Sequence, residues 1–341
     1  MPQLYVATNG LSVWSSDDLG ATIARMPSGT GLYSGSQVWA LARHPRDPGI
    51  VLAGTDSGLY RLDRARTRWV HLRSPLDGER LVTAIAFSPH DPNIIMVGAQ
   101  PSALYRSEDG GTSWRTIETA MRRFTTSGFY GSAAPGFAND AEASDIKHWT
   151  RVTQILFDPD DPKLVWAGVE IDGAWASRDG GLSFERVSAG LETDDIHGFC
   201  VVRDNGRVVL ATTNAGLHVS RDDGKTWAHR PIESAWQYVR SIVARPDDNG
   251  VMFMTNGNGP PGSSGRLFRS RDFGARWEDV KPPVGLDSSL YFLAVHPADP
   301  RLVFAAATLG QLFRSDDGGE SWVALPRRLP EIRALLWVPD R

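Results

Sequence analysis

The stretch Ile332–Arg341 reads IRALLWVPDR. It has the apolar character of a strand and runs into a Pro-Asp turn. The same opening begins a longer unit, LYFLAVHPADPRLVFAAATLGQLFRSDDGGESW, from Leu290 to Trp322. That unit continues through three more apolar runs, which IRALLWVPDR lacks. They are found at the other end of the chain. QLYVATNGLSVWSSDDLGATIARM, Gln3–Met26, aligns with IVLAGTDSGLYRLDRARTRWVHL, Ile50–Leu72, the later three runs of a unit.

Complete units begin at Val38, Val82, Val152, Ile196, Val239 and Leu290. Each holds four short apolar runs. A Pro-Asp turn breaks the first, a Gly or Asn turn the second, and a Ser-x-Asp-x-Gly turn the third. Four strands joined by tight turns form an antiparallel meander. One such sheet cannot bury both apolar faces, so neighbouring units must cover them. A linear stack would leave the two partial units with open edges, whereas a ring pairs them. The expected fold is all-β: a seven-bladed β-propeller of four-stranded antiparallel blades, a single domain over residues 1–341, closed by pairing of the N- and C-terminal strands.

Composition agrees. Pro (22) and Gly (34) are frequent, Trp reaches 12, and 41% of the 341 residues are hydrophobic. A net charge of −4 offers no clustered basic footprint for nucleic acid or an anionic membrane. The single cysteine, Cys200, lies in the apolar run IHGFCVV and reads as inert packing. No metal or cofactor motif occurs: HExxH, paired cysteines, a Walker loop and a G-x-S-x-G elbow are all missing. Gly257, Gly259 and Gly262 form a literal G-x-G-x-x-G, but Pro260 and Pro261 interrupt it and a strand follows, where phosphate binding needs a helix. The N-terminus lacks a basic and apolar leader, and no apolar run reaches membrane-spanning length. A monomeric cytoplasmic protein with no membrane partner and no cofactor is expected.

The third turn carries the most specific signal. It reads SEDGGTSW from Ser107, SRDGGLSF from Ser177, SRDDGKTW from Ser220, SRDFGARW from Ser270 and SDDGGESW from Ser315, with a weaker SDDLGATI from Ser16. In the unit from Val38, LDRARTRW keeps only Trp69 of this pattern. Ser and Asp side chains accept hydrogen bonds from turn amides, Gly supplies positive φ, and Trp buries a large apolar area. These octapeptides resemble the Asp-box, or bacterial neuraminidase repeat, and cover nearly the whole chain. The short seven-bladed form resembles the glycosyl hydrolase-like and photosystem II assembly factor-like group. That resemblance implies the fold, and it implies that the Asp boxes lie away from any catalytic face.

In a four-stranded meander the first and third turns share one face. The second turns and inter-blade links share the other, and repeat-to-repeat variation there marks the candidate functional face. His44, His90 and His296 fall in first turns and read as turn structure. On the opposite face, the link from Glu118 to Arg151 is far longer than its equivalents and reads as a lid or a protein-partner loop. The residues starting each inner strand are expected to face the pore mouth: Trp39, Thr83, Thr153, His197, Arg240, Tyr291 and Arg333. Glu170, Asp172, Glu192, Asp194 and Asp195 make one side acidic; Arg240, Arg327, Arg328 and Arg333 make the other basic.

The reading that follows is an enzyme, a hydrolase or a lyase, acting on a polar, glycosidic or carboxylated small-molecule substrate. Glu170, His197, Asp195 and Tyr238 are the candidate catalytic groups, because carboxylates, imidazole and phenol can move protons. Trp39, Arg151, Arg240, Tyr291 and Arg333 are the candidate substrate-binding groups, because aromatic faces stack and guanidinium binds carboxylate. The alternative is a non-catalytic interaction or assembly scaffold.

Overall fold

The computed structural model describes residues 2–27, 31–78, 80–125 and 148–340. Seven four-stranded antiparallel sheets are present. Six run consecutively along the chain, with inner strands Val38–Arg43 (blade 1), Leu81–Phe87 (blade 2), Arg151–Phe157 (blade 3), Ile196–Arg203 (blade 4), Tyr238–Ala244 (blade 5) and Leu290–Ala294 (blade 6). In the seventh, Ile332–Val338 is the inner strand and pairs with Gln3–Thr8 in the register Leu4↔Trp337, Val6↔Leu335. Each inner strand touches the inner strands of both neighbours, which closes the ring.

The core is divided among the blade interfaces. Leu164, Trp166, Ile196, Phe199 and Trp227 fill the gap between blades 3 and 4. Leu4, Trp337, Phe304 and Leu312 fill the gap between blades 6 and 7. Close approach needs a missing side chain at some positions. A Cβ on Gly98 would lie 2.4 Å from Val152 Cγ1 of the next blade. The hairpin tryptophans serve the same interfaces. Trp227 Nε1 donates to Val187 O of the preceding blade at 2.7 Å, and Trp322 meets Phe253 edge-on.

The Ser-x-Asp hairpins repeat one hydrogen-bond pattern. Ser107 Oγ accepts from Gly111 N (2.9 Å) and donates to Asp109 Oδ1 (2.8 Å), while Asp109 accepts from Ser113 N and Ser113 Oγ. The Ser and Asp pairing recurs at Ser16, Ser177, Ser220, Ser270 and Ser315. Blade 1 differs from the reading that only Trp69 survives there. Asp63 caps this turn, accepting from Thr67 N and Arg68 N, and Arg66 takes the left-handed conformation (φ 60°).

Four of these hairpins bond to the first turn of their own blade: Gly110 N to Asn93 O, Gly180 N to Lys163 O, Phe273 N to Gly250 O and Gly318 N to Arg301 O. First and third turns therefore share a face. The turn histidines are spent there. His44 Nδ1 accepts from Arg46 N and Asp47 N, His296 Nδ1 accepts from Ala298 N, and His90 Nε2 bonds to Asp158 O.

On the opposite face the long link begins after Ile117. It ends at Thr150 rather than Arg151, which already belongs to the inner strand of blade 3. Its two ends pair through Phe124↔Trp149 and Thr125↔His148. Arg122 anchors it, bonding Asp172 Oδ1 through Nε at 2.6 Å and Oδ2 through its backbone N at 2.9 Å. The lid or partner reading of residues 118–151 rests mostly on 126–147, which lie outside the described residues.

Candidate functional site

Every inner strand carries a register shift near its start. In blades 1 to 6 the shifts fall between Val38 and Ala40, Val82 and Ala84, Val152 and Gln154, Ile196 and Gly198, Val239 and Ile242, and Leu290 and Phe292. In blade 7 Ala7 faces Ala334 and Thr8 faces Ile332, so Arg333 is the extra residue of the inner strand. A bulge adds a residue that has no ladder partner and redirects its side chain. The residues set at these bulges are Trp39, Thr83, Thr153, His197, Arg240 with Ser241, Tyr291 and Arg333. All of them line one cavity of about 240 Å³.

Part of the bulge ring is latched. Thr83 Oγ1 donates to Val152 O of the next blade (2.7 Å), Thr153 Oγ1 to Ile196 O (2.8 Å), and His197 Nδ1 to Val239 O (2.5 Å). His197 thus repeats what two threonines do in the preceding blades. Beyond it the series breaks. Arg240 lies over the Tyr291 ring (5.0 Å to the centroid), and Arg333 lies over the Trp39 ring (4.0 Å). Arg151 also approaches Trp39, at 5.3 Å.

Of the residues expected from sequence, Trp39, Arg151, His197, Arg240, Tyr291 and Arg333 line the cavity. Glu170, Asp195 and Tyr238 sit one layer behind. Glu170 pairs with Arg151 at 2.6 Å and 3.0 Å. Asp195 Oδ2 pairs with His197 Nε2 at 3.2 Å, both side chains being buried. The Tyr238 hydroxyl bonds that of Tyr291 at 2.9 Å, and its ring packs on His197 at 4.7 Å. Among the described residues, no carboxylate lines the cavity.

The acidic side seen in the sequence is neutralised locally. Asp172 and Asp194 bind Arg122, Asp194 also binds Arg186, and Glu192 binds His229. On the basic side, Arg327 packs on Trp14 and Arg328 pairs with Asp287. Arg122 and Arg186 were missed as neutralising groups, and His229 as the contact of Glu192. Only the Arg122 position, at the root of the long link, carried a signal.

Electrostatics follow the geometry. Burial acts to raise the Asp195 carboxyl, but His197 beside it, with Arg240 and Arg151 further off, outweighs burial and holds it below the usual range. Burial drives the Tyr238 phenol well above its ordinary value, and it raises Tyr291 as well, against the lowering field of Arg240. Both remain phenols at neutral pH. Burial lowers the proton affinity of Arg333, Glu331 works against that, and the charges of Arg151 and Arg240 add to the lowering. Among the described residues, no group of three or more His, Cys, Asp or Glu is arranged to hold a metal.

No family model matches the chain. Among curated relatives, a xyloglucanase of Hypocrea jecorina is 25% identical over 333 residues, covering 82% of this chain and 37% of its own length. The chain thus spans just over a third of that relative. A crystal structure of the GH74 xyloglucanase from Xanthomonas campestris superposes with a TM-score of 0.67 at 16% identity, covering 98% of this chain and 52% of that one. The structure of YCF48 bound to D1 peptide superposes with a TM-score of 0.56 at 15% identity, covering 85% and 82%. At these identities the structural likenesses speak for the propeller fold alone.

Proposed function

We propose that this propeller is a glycan-cleaving enzyme that binds a polar small molecule or chain end in the mouth of its central channel. The observation that carries this reading is the convergence of all seven inner strands on one cavity, through bulge residues that differ from blade to blade where the remaining repeat is regular. Trp39 and Tyr291 offer faces for a sugar ring, and the arginines and hydroxyls offer directional donors. The sequence likeness to xyloglucanases supports hydrolysis.

A second chemistry, elimination, is favoured by one observation. Hydrolysis of a glycosidic bond ordinarily uses two carboxyl groups flanking it. Here Glu170 and Asp195 are held behind Arg151 and His197, and Tyr291 is the cavity-lining group with a proton to transfer. The test is to incubate the full chain with xyloglucan and with a polyuronate, scoring new reducing ends and unsaturated, ultraviolet-absorbing ends separately. Reducing ends alone support a hydrolase; both together support a lyase. Tyr291→Phe should lower either rate by about 10²-fold or more, the scale of a lost proton-transfer group. No cleavage of either polymer, together with no binding of their fragments, would overturn the enzyme reading in favour of a scaffold.

A further inference from the structure

We infer that the ligand of the mouth cavity is an anion, a carboxylate-bearing sugar of the uronate type, and that Arg240 is its anchor. This rests on the reading of the cavity as a small-molecule site and goes further by naming the ligand class.

The inference starts from how the cavity's cations are balanced. Arg151 is countered by Glu170 and Arg333 by Glu331, each from the side away from the cavity. Those pairs fix two guanidinium planes against Trp39. Arg240 has no such partner: no carboxylate lies within 4 Å of it among the described residues, and its Nη1, like Nε of Arg151 and Arg333, is buried without a hydrogen-bond acceptor. A buried donor left unmatched is costly, more so when charged. Glu170 and Asp195 both act on Arg240 through space, but neither reaches it, each being bound elsewhere, to Arg151 and to His197.

The surroundings restrict what can match Arg240. It lies over Tyr291, whose hydroxyl is linked to that of Tyr238. Two phenols sharing one hydrogen bond leave one O–H free to donate. Thr83 and Thr153 give their protons to the latches and keep lone pairs that can accept, Ser241 adds a hydroxyl, and no carboxylate lines the cavity, so the wall combines guanidinium donors and aromatic faces with a few neutral acceptors and no negative charge. A ligand that suits it brings acceptors, including a negative charge, on a flat or ring-shaped body. The volume of about 240 Å³ falls below the roughly 300–1,000 Å³ of pockets for drug-sized ligands, which limits the occupant to about one sugar unit. A planar carboxylate on a pyranose meets these conditions and matches the planar fork of an arginine.

The test is calorimetric titration of the full chain with glucuronate, glucose and inorganic phosphate at neutral pH. Glucuronate should bind at least tenfold more tightly than glucose or phosphate, and more weakly as salt is raised. Arg240→Ala should reduce glucuronate affinity at least thirtyfold, while Arg276→Ala, an exposed arginine on a Ser-x-Asp hairpin, should not. If Arg240→Ala does not fold, Arg240→Gln replaces it with the same expectation. Glucose binding as tightly as glucuronate would overturn the anionic ligand and leave the cavity reading standing. Phosphate binding as tightly would overturn the carboxylate. Binding of none of the three would overturn both the inference and the reading beneath it.

Discussion

At the scale of single residues, His197 and Arg240 have opposite dependencies although both stand at inner-strand bulges. His197 spends both ring nitrogens on the protein, one on Val239 O and one on Asp195. Replacing it with Ala breaks a blade-to-blade latch and takes from buried Asp195 its nearest partner, leaving only the more distant Arg240 and Arg151. Leaving a buried polar group without its hydrogen-bond partner costs about 1–3 kcal/mol, so His197→Ala should lower unfolding free energy by at least that order in urea titrations. Arg240→Ala strands no carboxylate among the described residues, and its unfolding midpoint should stay close to that of the parent. The inner-strand positions of this ring were legible in the sequence, because the repeat aligns them. Their roles were not. Nothing in IHGFCVV distinguishes a histidine facing substrate from one repeating the bond of Thr83 and Thr153, since that bond reaches a carbonyl 42 to 69 residues away, in the next blade.

At the scale of the element, the Ser-x-Asp hairpin is a small acid-sensitive clamp. Its aspartates sit at about 2: Asp109 chiefly through the hydroxyl of Ser113, Asp18 through that of Thr22, and Asp317 through Ser321 against an opposing effect of burial. An unfolded aspartate titrates near about 3.9. The folded value is the lower one, so each clamp contributes its full stability above about pH 4 and loses it as pH falls toward 2. Stability in urea should therefore drop through that window. Asp109→Asn, which no longer titrates, should make the drop shallower. A parent protein as stable at pH 2.5 as at pH 5 would contradict this account. The hairpins were readable because the bonds between their Ser and Asp and the turn, as at Ser107 and Asp109, are local, spanning at most four residues. The blade 1 variant was misread because Asp63 assumes the capping role from a neighbouring position.

At the scale of the whole molecule, closure depends on Ile332–Val338. Trp337 is fully buried between blades 6 and 7, in the cluster that includes Phe304 and Leu4. Trp337→Ala should cost about 3–5 kcal/mol, measurable as a lowered denaturation midpoint, whereas truncating the exposed Val323 should cost little. The ring was legible because a periodic sequence with a split unit has few other ways to pair its edges. The charge balance of the mouth was not, because it is set by pairs such as Arg122–Asp172 and Arg186–Asp194, whose members the sequence alone does not bring together.

The seam between Gln3–Thr8 and Ile332–Val338 also has a temporal meaning. Of the strands in this ring, Gln3–Thr8 leaves the ribosome first and is among the last to find its partner. At about 5–20 residues per second, it waits on the order of 20–60 s with an apolar edge uncovered. Throughout synthesis, that edge is the surface a chaperone would most need to shield.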